Sequence, residues 1–179
     1  MKKRTWKIAG VNFDHFHMGD LLRYAHEHPA AEIVGISDEQ PARTEEVVRK
    51  GLVPRDRAFT DYRACLEQTK PDVVILCPAA SKHGEWVKKV APYGPHIMVE
   101  KPFAASLKEA DAMIAAMPHG KTLMINWFTS GIATEGGGTM SNTSVKTILA
   151  ELIAVVVSSK TRLKLPGLPI LVLDRKSVV

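Results

Sequence analysis

Residues 72–102 read DVVILCPAASKHGEWVKKVAPYGPHIMVEKP. Asp72 to Cys77 is an apolar run of strand length, His96 to Val99 is a second, and a helical segment from Lys82 to Val90 lies between them. A strand that is apolar at successive positions, with no polar alternation, suits a parallel sheet covered on both faces. Strand, helix and strand in that order form a right-handed βαβ crossover.

The same alternation extends in both directions. Upstream, Trp6 to Val11 reads as a strand, followed by a helix from Met18 to His28 with Leu21, Leu22 and Ala25 on one face. Glu32 to Ser37 is the next strand. Pro41 to Lys50 reads as a helix, with Pro in its first turn and Gly51 at its end. A short strand at Ala58 and Phe59 precedes a helix through Tyr62, Leu66 and Thr69, capped by Thr60 or Asp61. Downstream, Ser106-Leu-Lys-Glu109 has capping-box spacing for a helix to Met117, and Leu123 to Trp127 is a sixth strand. The expected fold class is α/β, a doubly wound parallel sheet of the Rossmann type, with ligands beyond the carboxyl ends of the strands.

Two segments are expected. Residues 1–127 form the dinucleotide-binding domain, and 128–179 form an atypical tail. From Thr129 to Val179 there is no aromatic residue and no histidine. Thr129 to Ser144 is rich in Gly, Ser and Thr, and the aliphatic runs Val145 to Val157 and Leu163 to Leu173 are marked by Pro166 and Pro169 in the second.

Hydrophobic content of 45% with 24% charged residues places the 179-residue chain among soluble globular proteins. The net charge of +5 is scattered, Lys2-Lys3-Arg4 being the only run of three, so no nucleic-acid surface is expected. The apolar run from Ile8 to Phe13 contains Asn12 and is closed by Asp14, too short for a signal peptide. Ile148 to Val157 carries Glu151 and falls short of a membrane span. Cys65 and Cys77 lack CxxC spacing, which suggests free thiols in a reducing compartment. The expected location is cytoplasmic, with no membrane association.

The turn after the first strand is where a dinucleotide-binding domain places its G-x-G-x-x-G glycines. Here those positions hold Asn12, Asp14 and His17. Asn tolerates left-handed backbone, whereas a carboxylate at Asp14 repels a pyrophosphate unless it is turned away or neutralised, and His15 and His17 are candidates to offset it. Three readings of His15-Phe16-His17 stay open: a metal pair, ordinary loop histidines, or cofactor- or substrate-facing side chains. No third ligand lies at suitable spacing, and no metal is expected. Asp38 ends the second strand 26 residues beyond Asn12, near the offset of the acid that binds the adenosine ribose, which favours NAD over NADP. Its alternative role is as a helix N-cap before Pro41.

Cys77-Pro-Ala-Ala-Ser-Lys-His83, Val99-Glu-Lys-Pro102 and the strand-end Asn126 together resemble the glucose-fructose oxidoreductase and inositol dehydrogenase family (Gfo/Idh/MocA type) over Lys7 to Trp127. The resemblance implies Lys101 and His83 as catalytic-site residues. It implies Asn12, Phe13, Asp14, His17, Asp38, Pro78, Glu100, Lys101 and Asn126 around the cofactor. A cationic amine can stabilise the alkoxide that develops as a hydroxyl gives up its proton during hydride transfer. A solvent-facing Lys101 and a structural His83 are the plainer alternatives. The implied function is an NAD(P)-dependent oxidoreductase acting on a sugar or polyol, incomplete in this chain; the alternative is a non-catalytic dinucleotide-binding or interaction protein. A methyltransferase reading leaves Glu100-Lys101-Pro102 unexplained. The 52 residues after Trp127 resemble no part of the family's substrate domain, so a truncated, fragmentary or frame-shifted end is expected. Self-association into a homo-oligomer would cover the aliphatic runs.

Overall fold

A computed structural model describes residues 4–126 and the pair 172–173. The chain runs β1 (Trp6–Val11), α1 (His17–Glu27), β2 (Ala31–Ser37), a 3₁₀ turn at Pro41–Arg43 and α2 (Glu45–Arg49). It continues with a 3₁₀ turn at Arg55–Arg57, then β3 (Ala58–Phe59), α3 (Tyr62–Thr69), β4 (Val73–Leu76), a 3₁₀ turn at Ala80–Lys82 and α4 (His83–Val90). After a last 3₁₀ turn at Ala91–Tyr93 come β5 (His96–Glu100), α5 (Leu107–Ala116), β6 (Leu123–Asn126) and β7 (Val172–Leu173).

The strand order is β3-β2-β1-β4-β5-β6-β7. The first six strands pair in parallel, in the order of a doubly wound dinucleotide-binding sheet. β7, drawn from the tail, adds an antiparallel edge through Leu123↔Leu173 and Met124↔Val172. The boundary expected at Trp127 and most of the two aliphatic runs lie outside the described residues.

The apolar runs have the expected cause. On β4, Val73 and Ile75 pack in one core with Met18, Leu22, Ile36 and Val47, whereas Val74 and Leu76 pack in a second with Leu66, Trp86, Val87 and Met113. β4 is therefore buried on both faces, at about 1.5 to 3 kcal/mol for each large aliphatic side chain. Gly10 in β1 lets α1 press close, because a Cβ there would lie 3.0 Å from Met18 Sδ and 3.2 Å from Leu22 Cδ2.

Local chemistry sets the helix ends. Asp61, rather than Thr60, caps α3 by accepting from the Arg63 N–H at 3.0 Å. Ser106 Oγ accepts from the Glu109 N–H at 3.2 Å, while Glu109 Oε2 reaches back one residue further than a standard capping box, to the Ala105 N–H at 2.7 Å. The helix expected over 41–50 is split at Thr44, whose hydroxyl donates to the Pro41 carbonyl at 2.9 Å and closes a tighter first turn. No helix among the described residues is long and apolar enough to cross a membrane.

Candidate functional site

The carboxyl ends of β1, β2, β4 and β5 bring the candidate residues to one edge of the sheet. Asn12 follows β1 with φ of 64°, the left-handed conformation that the missing glycine would have supplied, and its Oδ1 accepts from the Asp14 N–H at 2.9 Å. The Phe13 N–H donates to Asp38 Oδ2 at 2.7 Å, and the Gln40 N–H donates to Asp38 Oδ1 at 2.8 Å. Asp38 is 4% exposed, and it does not cap the Pro41–Arg43 turn, whose N-cap position is Gln40 with no side-chain cap bond. Its carboxylate organises two loops and also lines a cavity of about 460 Å³ with Asn12, Ser37, Arg43, Thr60 and Trp86. Phe13 packs its ring against the core and serves the site through its backbone.

Asp14 does not stand as a bare charge. Burial opposes its ionisation, but the Ala79 N–H at 3.1 Å, the Arg43 guanidinium and Asn12 hold its carboxyl below the usual carboxylate range. The offset expected from His15 and His17 thus comes from Arg43 and a backbone N–H. Arg43 also sits 3.6 Å from Asp38. It escaped the sequence reading because its partner Asp14 lies 29 residues away in the chain. Within the turn, the His17 N–H bonds His15 Nδ1, the Met18 N–H bonds the His15 carbonyl and the Gly19 N–H bonds the Phe16 carbonyl, each at 3.3 Å. These donors stand where a glycine-rich turn offers N–H groups to phosphate.

At the other end of the crevice, the His15 N–H donates to the Cys77 carbonyl at 2.9 Å and ties the first turn to β4. His17 Nδ1 lies 3.1 Å from Glu100 Oε1, and both side chains are buried. His15, His17 and Glu100 bring one nitrogen or oxygen each to within 4.8 Å of the others. No third ligand was visible near His15 and His17 in sequence; the sheet supplies one from β5. Burial first, and then the charge of His17, push the His15 imidazole below its usual value against the pull of Glu100. Cys65 and Cys77 are buried free thiols; burial raises the first to about 12, and burial with Glu100 nearby raises the second well above the ordinary thiol value.

His83 departs from the expectation of a catalytic residue. It opens α4 with no exposed surface, its Nδ1 2.7 Å from the Pro102 carbonyl and its Nε2 3.2 Å from the Pro78 carbonyl. It therefore bridges the loops after β4 and β5. Lys101 stands exposed at the end of β5, joined to Pro102 by a cis peptide bond. Pro78 is buried at the end of β4. Asn126 pairs in register with Glu100; its side chain lies outside the described residues.

Residues 5–127 match the model of an oxidoreductase family with an NAD-binding Rossmann fold, the Gfo/Idh/MocA family. Over 86 residues, 44% of the chain, the sequence is 40% identical to glycosyl hydrolase family 109 protein 1 of Akkermansia muciniphila, covering 18% of that protein. Over 84 residues, 47% of the chain, it is 34% identical to scyllo-inositol 2-dehydrogenase (NAD(+)) of Bacillus subtilis, covering 24% of it. The chain thus spans less than a quarter of the length of either curated relative. An oxidoreductase from Agrobacterium radiobacter, solved with NAD+, L-tartaric acid and magnesium, superposes with a TM-score of 0.60 at 24% identity, over 68% of this chain and 35% of that one.

Proposed function

Because the chain belongs to the Gfo/Idh/MocA oxidoreductase family with its NAD-binding Rossmann fold, we propose that it binds NAD(H) along the carboxyl edge of the sheet, as the cofactor half of a sugar or polyol dehydrogenase. The observation that carries this reading is Asp38. A buried carboxylate at the end of β2, facing a cavity and braced by two backbone N–H groups, matches the acid that accepts the ribose hydroxyls. Asn12 gives the left-handed turn, and the charge of the Asp14 carboxylate toward a pyrophosphate is offset by Arg43 and the Ala79 N–H.

When bound, NAD+ would supply the hydride acceptor. Lys101 would stabilise the developing alkoxide of a substrate hydroxyl whose proton passes to solvent at this exposed position, and His83 would fix the two loops that carry Pro78 and Lys101. The reaction class is oxidation of a secondary alcohol of a sugar or polyol. NAD is favoured over NADP by the acid, although Arg43 beside it offers a cation to a 2′-phosphate. We infer a cytoplasmic location and a homo-oligomer.

The rival reading, a dinucleotide-binding protein without catalysis, is favoured by the turn's internally bonded N–H groups. Calorimetry with NADH and NADPH, followed by an assay of NADH formation from inositols and aldoses, tests both. NADH is expected to bind more tightly than NADPH, and Asp38→Ala to weaken NADH the more, with urea unfolding measured alongside because the substitution strands two N–H groups. Failure of the folded protein to bind either nucleotide would overturn the proposal. Binding without turnover would support the rival over catalysis.

A further inference from the structure

We propose that His15, His17 and Glu100 form a binding site for a divalent first-row transition-metal ion of the zinc class. Two imidazoles and a carboxylate are the donors that such ions select, and three protein ligands with further positions left to water or substrate form an open site. The donors come from two distant parts of the chain, His15 and His17 from the turn that leads into α1 and Glu100 from the end of β5.

A tetrahedral ion with bonds of 2.0 to 2.2 Å separates its ligand atoms by roughly 3.4 Å. The His17–Glu100 pair is already at 3.1 Å, and all three atoms lie within 4.8 Å. His15, the half-buried member, is the ligand whose donor would move to reach that spacing. Glu100 is 1% exposed and His17 8%, so an ion there would meet its carboxylate with little competition from water. The His15 backbone is anchored to the Cys77 carbonyl, and Glu100 lies in a strand paired on both sides, so the framework around the donors is rigid. Lys101, next along the chain and solvent-exposed, is the nearby opposing charge; His83 is fixed between two carbonyls.

The site does not depend on the dinucleotide reading. The untagged full chain, stripped with chelator, would be titrated with Zn²⁺ by calorimetry and with Co²⁺ by visible spectroscopy, with no nucleotide present. One ion per chain is expected. His15→Ala and Glu100→Gln should each weaken binding by more than the roughly 10- to 100-fold that loss of an outer-shell partner costs, while His26→Ala, exposed on α1, leaves it unchanged. Should Glu100→Gln fail to fold, His15→Ala carries the test, since its side chain sits on the turn at the edge of the core. Absence of Zn²⁺ binding by the folded wild type, or binding undiminished in His15→Ala, would overturn the proposal. A separate NADH titration shows whether the dinucleotide reading stands or falls by itself.

Discussion

His96 makes acid stability of the sheet a measurable property of one side chain. It is the first residue of β5, 8% exposed, edge-on to Trp6 with ring centroids 6.2 Å apart, and its Nδ1 accepts the Thr122 N–H at 3.1 Å. Protonating that nitrogen would replace the hydrogen bond with two opposed donors. Burial, and next the charge of Lys121, depress the imidazole from 6.5 to about 4, against the pull of Asp72. The unfolded chain then binds the proton more readily than the folded one, so stability is complete above pH 6.5 and is lost as the pH falls toward 4. Between pH 7 and 5 the two values give a loss of about 2 kcal/mol from this group. His96→Asn keeps an acceptor near the Thr122 N–H but cannot titrate. Urea unfolding of both proteins at pH 7 and pH 5 should show the wild type losing about 2 kcal/mol more than the variant. Equal losses in the two proteins would refute the reasoning and place the acid sensitivity elsewhere.

Two further outcomes concern the candidate site. His83→Leu should destabilise the fold by about 1 to 3 kcal/mol, because the imidazole N–H, whichever tautomer is present, leaves one of the two carbonyls without its donor, and should weaken NADH binding with little change in its pH profile; urea unfolding and calorimetry measure both. Asp14→Gly should tighten NADH binding about tenfold, or 1.4 kcal/mol, by freeing Arg43 and the Ala79 N–H for phosphate, and an unchanged dissociation constant would show that the Asp14 network lies off the phosphate path.

The sequence by itself determined the alternation of strands and helices, because a parallel strand buried on both faces must be apolar along most of its length, as 73–76 and 97–99 are. It also carried the left-handed position at Asn12, the Ser106 cap and the acid at Asp38, since each depends on the residue type and a short offset. Tertiary structure decided what depends on chain segments far apart in sequence. The β3-β2-β1-β4-β5-β6 order set Glu100 beside His17, Arg43 beside Asp14, and His83 between the carbonyls of Pro78 and Pro102. None of these pairs has a spacing signature, because the distance between their partners is set by the sheet's register and not by the length of chain between them.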